Sequence, residues 1–210
     1  RGLSYFELGE YNQAILDYSE AISLDSNLAL AYNNRGNARR SLGNYNEAIV
    51  DFSTAISLDS SLVDAYSNRG SAFNSLGQPH DALLDYLKAI SLDPYYVNSY
   101  YNLGNTFFEL GMYDDAVDFY SEALRLDANI AEVYLNRGLA YSSLGNYLDA
   151  IVDYSEAIRI NPMMAEAYVV RGDEYFQYLD IKNAMDDYSE AIRLNPNMAE
   201  AYANRGVVYL

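Results

Sequence analysis

One pattern returns every 34 residues along the whole chain of 210 residues. The clearest copy is the segment 131–164, AEVYLNRGLAYSSLGNYLDAIVDYSEAIRINPMM. In it the motif LGNY separates two amphipathic segments, 131–144 and 147–160, which are predicted to be helices. Gly145 favours the end of the first helix, and Pro162 disfavours helical geometry at the residue before it. Two short helices cannot bury their apolar faces alone, so neighbouring copies are predicted to stack into a repeat array.

This register predicts a single domain over residues 1–210, with five full repeats and a partial repeat at each end. The full repeats are 29–62, 63–96, 97–130, 131–164 and 165–198, and the partial repeats are 1–28 and 199–210. The first partial repeat is expected to hold a complete second helix, from about Tyr11 to Leu24. Because the chain starts and stops within a repeat and has no initiator methionine, we expect it to be a piece of a longer protein.

Certain residue types recur at fixed positions of the repeat, and together they resemble the pattern of a known family. Large aromatic, glycine, alanine and proline positions recur at fixed spacing, and in 131–164 they are Tyr134, Gly138, Tyr141, Ala150, Tyr154, Ala157 and Pro162. In these residues the unit resembles a tetratricopeptide repeat, and the resemblance covers essentially the whole chain. It implies an all-α fold, a right-handed superhelical solenoid of antiparallel helix pairs. It also implies a protein-interaction scaffold whose concave groove is lined by the first helix of each pair.

Composition and charge exclude several classes of function. The chain has no cysteine, one histidine and a formal net charge of −17, which exclude disulfides, thiol catalysis and zinc-finger sites and argue against nucleic acid as a partner. Every glycine belongs to the repeat, so there is no phosphate-binding loop. Adjacent acids such as Asp114 and Asp115 point about 100° apart on a helix and do not form a catalytic pair. We therefore predict no enzyme activity, no metal, no cofactor and no membrane insertion, and the localisation stays open.

Some positions depart from the repeat. Leu179 stands where the glycine of the turn is expected, which could distort the turn YLDIKN. Glu174 and Ile181 in the same repeat also depart from the pattern. Pro79 is predicted to be the first residue of its helix, a position where proline is tolerated, with His80 exposed beside it.

Equivalent positions of successive repeats form columns spaced by 34 residues. An arginine column and an aspartate column lose their charged residues in the same repeat. The arginines are Arg1, Arg35, Arg69, Arg137, Arg171 and Arg205, and an acid follows each of the first five by 16 residues, at Asp17, Asp51, Asp85, Asp153 and Asp187. In repeat 97–130 both are replaced, by Leu103 and Phe119. The joint replacement predicts one partly buried ion pair in each other repeat, between first and second helix. The alternative is that these arginines bind an acidic ligand.

Besides its core-facing residues, the first helix of each repeat carries another stripe of residues, which is predicted to face the concave groove. It contains an asparagine column, Asn34, Asn68, Asn102, Asn136 and Asn204, interrupted by Val170. A side-chain amide can bond both the N–H and the C=O of an extended peptide, and this column is similar to the asparagine ladder of O-linked N-acetylglucosamine transferase. Asparagine could equally serve repeat packing. The other predicted peptide-binding residues are Asn33, Asn37, Tyr101, Asn105, Phe108, Glu132 and Leu135.

The partner is expected to be another protein or peptide, extended and neutral to basic, because acids such as Asp64, Glu132, Glu166 and Glu200 lie near the column. The lysine clamp with which some family members bind a C-terminal carboxylate looks absent. Two alternatives remain open. The chain could self-associate end to end through the terminal helix 199–210, with Tyr202, Val207, Val208 and Leu210, or it could be the substrate-selecting arm of an enzyme outside this segment.

Overall fold

A computed structural model describes residues 1–208, and in that range the chain forms thirteen α-helices joined by short turns. The helices are α1 (Gly2–Glu7), α2 (Tyr11–Leu24), α3 (Ala29–Ser41), α4 (Tyr45–Leu58), α5 (Val63–Ser75), α6 (Pro79–Leu92), α7 (Val97–Glu109), α8 (Tyr113–Leu126), α9 (Ala131–Ser143), α10 (Tyr147–Ile160), α11 (Ala165–Gln177), α12 (Ile181–Leu194) and α13 (Ala199–Val208). The all-α repeat architecture is thereby confirmed. Leu210, expected to belong to the terminal helix, lies outside the described residues.

Within this array the chain divides into two compact units, residues 1–106 and the part from Phe107 onward. In the first unit α3 contacts both α2 and α4, and α5 contacts both α4 and α6, so these helices stack in chain order. In the second unit, for example, α9 contacts both α8 and α10, and α11 contacts both α10 and α12. Each unit therefore builds its core from successive interhelix layers.

The turns after the second helices depend on one recurring side chain. An aspartate or asparagine follows each of these helices, and its Oδ1 accepts the backbone N–H two residues later; in the first repeats Asp25 accepts from Asn27 at 2.9 Å and Asp59 from Ser61 at 2.9 Å. The same bond closes the turns at Asp93, Asp127, Asn161 and Asn195. Such a side-chain turn reverses the chain without a following glycine.

The turn between α11 and α12 keeps the geometry of the others, so the expected distortion is wrong. Leu179 adopts φ +58° in place of the glycine, and its N–H donates to the Phe176 carbonyl at 2.9 Å. Gly145 makes the equivalent bond to Ser142 at 2.9 Å with φ +78°. The hydrogen bonds and helix packing on both sides impose the left-handed conformation on leucine, which is unfavourable for any residue with a Cβ.

We expect Leu179→Gly to stabilise the protein by about 1 kcal/mol, since leucine is strained in this conformation. Little burial is lost, because Leu179 is 80% exposed. The reciprocal control is Gly145→Leu, which should destabilise by a similar amount, because a Cβ at Gly145 meets no atom within 4 Å and the cost there is conformational. Urea unfolding followed by circular dichroism measures both. A lower unfolding midpoint for Leu179→Gly would contradict the strain argument.

In five helix pairs a glycine of the first helix closely approaches an aromatic ring of the second helix; these glycines are Gly2, Gly36, Gly70, Gly138 and Gly172. Gly36 faces Phe52, and Gly138 faces Tyr154, so that a Cβ added at Gly138 would lie 2.5 Å from Tyr154 Cε1. Phe52 and Tyr154 are both fully buried. Alanines surround the rings, for example Ala150 and Ala157 beside Tyr154. The small residues therefore set the distance between helices, and the aromatic ring fills the space that they leave.

Candidate functional site

Arginine to aspartate pairs fix the first helix of a repeat to the second. Arg137 donates from Nε to Asp153 Oδ2 at 2.7 Å and from Nη2 to Oδ1 at 2.8 Å, and its guanidinium lies 5.6 Å from the Tyr134 ring centre. The same two-bond pair joins Arg35 to Asp51, Arg69 to Asp85 and Arg171 to Asp187, and Arg1 pairs with Asp17. The predicted ion pairs are confirmed, and they are partly buried as expected except at Arg1, whose side chain is 77% exposed.

A serine of the preceding repeat also bonds the arginine in four of these pairs, and sequence analysis missed it. Arg137 Nη1 donates to Ser121 Oγ at 3.0 Å, and Ser121 belongs to the second helix of the preceding repeat. Arg35, Arg69, Arg171 and Arg205 bond Ser19, Ser53, Ser155 and Ser189 in the same way. The signal was present, since Leu87 replaces the serine where Leu103 replaces the arginine. One guanidinium thus joins three helices.

Arg39 is a second partner of an aspartate in this network. Its Nη1 donates to Asp51 Oδ2 at 2.7 Å, so Asp51 is held between Arg35 and Arg39. Asp51 is 1% exposed. A buried carboxylate needs charge-assisted hydrogen bonds, and the replacement of the usual aromatic by Arg39 supplies a further one.

The asparagine column lies along the first helices, and its amides bond the preceding first helix. In the first unit Asn68 Nδ2 donates to Asn33 Oδ1 at 3.2 Å, and Asn102 Nδ2 donates to Ser71 Oγ at 3.5 Å. In the second unit Asn204 Nδ2 donates to Asp173 Oδ1 at 2.7 Å. In these three asparagines, one N–H of the side-chain amide therefore stabilises the packing between repeats. A side-chain amide carries a second N–H and a carbonyl acceptor besides.

The predicted peptide-binding residues separate into two groups by burial. Asn33 is 5% exposed and Leu135 is 6% exposed, so both pack between repeats and do not fit a role in contacting a ligand. Both belong to the column that directly precedes the asparagine column in sequence, in which Tyr101 is half-buried. The others are exposed or half-buried, namely Asn34, Asn37, Asn68, Tyr101, Asn102, Asn105, Phe108, Glu132, Asn136 and Asn204. Glu132 is the exposed member of this group.

Acidic residues beside the column have defined partners. The Tyr96 hydroxyl donates to Asp64 Oδ1 at 2.6 Å, and burial together with this bond raises the pKa of Tyr96 to about 12. In the second unit the Tyr188 hydroxyl and Asn204 Nδ2 each donate to Asp173 Oδ1 at 2.7 Å. Burial raises the pKa of the Asp173 carboxyl, and the two donors oppose that rise.

Glu174, next to Asp173, is a buried acid where other repeats have alanine. It is 5% exposed, whereas Ala38, Ala72 and Ala140 at the same position of other repeats are fully buried. Burial raises the pKa of the Glu174 carboxyl, the nearby Ser142 hydroxyl opposes the rise, and Asp173 adds to it. Burial raises the pKa of the Tyr154 hydroxyl on α10 and of the Tyr188 hydroxyl on α12, and the negative charge of Glu174 adds to both rises.

We expect Glu174→Ala to stabilise the protein at neutral pH by about 1 to 3 kcal/mol, because it removes a buried carboxylate. A carboxyl whose folded pKa is raised destabilises the fold as pH rises above its ordinary value, which is 4.5 for this residue. The advantage of the variant should therefore shrink as pH falls towards and below that value. Melting temperatures of both proteins over the acidic range measure it. A difference that does not change with pH would contradict the prediction.

The comparison with family models covers nearly the whole sequence. A family described as TPR repeat matches residues 2–39, 36–77, 70–111, 104–145 and 172–210, and one described as Tetratricopeptide repeat matches 131–164. The chain belongs to the tetratricopeptide repeat family. Proteins of this family generally act as interaction scaffolds that bind other proteins or peptides. They are generally non-catalytic.

Solved structures of tetratricopeptide repeat proteins have the same fold. MamA is 27% identical, with 79% of this chain and 96% of that chain covered and a TM-score of 0.71. YrrB, described as a TPR protein with an unusual peptide-binding site, is 22% identical over 90% of this chain and 97% of that chain, with a TM-score of 0.71. Pseudomonas aeruginosa pilF is 20% identical over 98% and 94%, with a TM-score of 0.86. A search of curated proteins gives no match.

In residues 1–208 no helix combines the length and the apolar character that crossing a membrane requires.

Proposed function

We propose that this tetratricopeptide repeat chain binds an extended peptide segment of a partner protein along the first helices, with asparagine amides holding the peptide backbone. The observation that carries the proposal is the fixed orientation of these amides in the first unit. Asn68 and Asn102 are half-buried, and a hydrogen bond from each Nδ2 to Asn33 or Ser71 restrains the side chain. Because the amide is already ordered, less conformational entropy is lost when its other polar groups bind.

The composition of the surrounding surface favours a neutral to basic segment. Exposed acids such as Asp64 and Glu132 lie on the first helices, and the net charge of the chain is −17. Complementary charge accelerates association and selects against acidic partners. Half-buried aromatic side chains, such as Tyr101 and Phe108, could receive apolar side chains of the segment. The likeness to YrrB, which is described as having a peptide-binding site, supports the same class of ligand.

The test separates backbone binding from repeat packing. Peptides are first selected from a displayed random library on the wild type, and their affinity is then measured by fluorescence anisotropy. We expect Asn68→Ala with Asn102→Ala to weaken binding by about tenfold or more, which corresponds to about 1.4 kcal/mol. The matched control is Asn33→Ala with Ser71→Ala, which removes the packing partners and leaves both amides in place. It should bind within a few-fold of the wild type.

Equal loss of affinity in the two double variants would make the asparagines structural and would contradict the proposal. Failure of the wild type to select any peptide would contradict it as well. Thermal melts of the three proteins are measured first, and the affinities are compared at a temperature at which all three are folded.

A second candidate function is self-association through the ends of the array. On α13, Tyr202 is 46% exposed and Val207 is 54% exposed, and on α1 and α2, Leu3 is 57% exposed and Leu24 is 81% exposed. Such apolar surfaces normally pack against a neighbouring repeat. Sedimentation velocity tests this candidate, since a sedimentation coefficient that rises with concentration would support it and a constant monomer value would exclude it.

A further inference from the structure

A cavity of about 330 Å³ lies in the second unit among α9, α10 and α11. Its walls include Ser142, Tyr154 and Glu174, and the apolar side chains Leu139 and Val170. Val170 is the residue that interrupts the asparagine column. The cavity therefore lies on the same stripe of the first helices, at the place where the column has no amide.

One deeply buried polar group lines this cavity without a hydrogen-bond partner among the described residues, and a buried acid belongs to the same wall. Tyr154 is fully buried, and its hydroxyl has no hydrogen-bond partner among residues 1–208. Glu174 is 5% exposed and belongs to the same cavity wall. Buried polar groups are nearly always hydrogen-bonded in native proteins, and an exception calls for an explanation such as a missing ligand.

Packing between repeats does not require a carboxyl group at the position of Glu174. Alanine occupies the position of Glu174 in three other described repeats, at Ala38, Ala72 and Ala140, each fully buried. At this cavity the chain therefore carries a carboxyl group where those three repeats bury a methyl group. Residues that break a local rule at a cost in stability are characteristic of functional sites.

The arrangement of acceptors fits an alkylammonium ion. The Glu174 carboxylate supplies negative charge, and the Tyr154 and Ser142 hydroxyls can each accept a hydrogen bond, which matches the three N–H donors of an ammonium group. Leu139 and Val170 provide an apolar wall for a methylene stem. An anion is excluded, because Asp173 and Glu174 stand together at this cavity and Asp173 is already held by Tyr188 and Asn204.

We propose that this cavity binds the side-chain ammonium of a lysine in the partner segment, with Glu174 as the counter-ion and Tyr154 and Ser142 as additional acceptors. The lysine as the occupant rests on the proposed peptide-binding function, whereas the affinity of the cavity for an alkylammonium ion does not. The two parts can therefore be tested separately.

The first experiment uses butylammonium chloride, which carries the charge and stem of a lysine side chain. Methyl resonances of Leu139 and Val170 are followed by NMR during the titration. The wild type should show saturable shifts, whereas 1-butanol, which has the same stem without charge, should not. Glu174→Ala should weaken butylammonium binding by about tenfold or more, and Tyr154→Phe should weaken it by a smaller factor. Because alanine is normal at position 174 in other repeats, the Glu174→Ala variant is expected to fold, and its circular dichroism checks this.

The inference is overturned if the wild type shows no saturable shift, or if Glu174→Ala or 1-butanol gives the same response. The second experiment repeats the peptide selection on the wild type and on Glu174→Ala. Peptides that share a lysine only when selected on the wild type support the lysine as the occupant. Peptides that bind both proteins equally without a shared lysine overturn it and leave the proposed function standing, whereas butylammonium binding with no peptide selected would overturn the peptide-binding function instead.

Discussion

Replacing Arg137 by leucine is expected to destabilise the second unit by about 3 to 5 kcal/mol, the typical cost of leaving one partner of a buried ion pair unpaired. The Asp153 side chain is only 4% exposed, whereas that of Arg137 is 19% exposed. Without the guanidinium, Asp153 loses both of its charge-assisted bonds, and Ser121 loses its donor. Urea unfolding gives the global effect, and hydrogen exchange of α9 and α10 reports local opening if the array does not unfold in one step.

Adding Asp153→Phe to Arg137→Leu should recover much of the loss. The chain already contains this apolar combination, with Leu103 and Phe119 in the equivalent positions of repeat 97–130. Exchange of a buried ion pair for well-packed apolar groups is often neutral or stabilising. If the double variant unfolds at the same urea concentration as Arg137→Leu alone, the two positions are not coupled and the interpretation of the columns fails.

Gly138→Ala is expected to cost about 1 to 3 kcal/mol, as overpacking of a well-packed core does. The new Cβ would lie 2.5 Å from Cε1 and 2.7 Å from Cδ1 of Tyr154, a ring that is fully buried. The helix propensity of alanine opposes this effect by about 1 kcal/mol, so that the clash itself is larger than the net loss. The melting temperature and the urea midpoint measure the result.

The control for this prediction is Gly206→Ala. Gly206 occupies the same repeat position on α13, but no atom of residues 1–208 lies within 4 Å of a Cβ built there. The substitution should therefore be neutral or slightly stabilising through propensity alone. If both alanines have the same effect, the ring contact does not explain the glycine column.

Much of the fold follows from patterns that the repeat makes visible. The helix from Tyr11 to Leu24 and the start of α6 at Pro79 agree with the sequence analysis, and His80 is exposed. The pairing of Arg137 with Asp153 was also predictable, because joint replacement in another repeat indicates contact. The distortion expected at Leu179 is wrong, because the helix packing on both sides of the turn outweighs the local preference of leucine against a positive φ.

The candidate site was less predictable, because a helix face does not show how far each of its columns is covered by the next repeat. Asn33 and Asn34 are adjacent in sequence, yet Asn33 is buried and Asn34 is half-buried. The bonds from the asparagine amides to Ser71 and Asp173 cross from one repeat to the next. Their partners are 31 residues away in sequence and vary in type between repeats, so that no column pattern revealed them.

The sequence by itself determined the helices, their order and the columns that pack, because the periodic spacing of glycine, alanine and aromatic residues fixes which faces can approach. Only the tertiary structure decided which polar groups end up without a partner. Glu174 stands in a column that has alanine in three repeats and Ser4, Thr106 or Val208 in the others. The sequence alone does not show that its carboxyl group is buried. It acquires a defined environment only when α9, α10 and α11 enclose it beside the unpaired Tyr154 hydroxyl, since desolvation depends on neighbours that are distant in the chain.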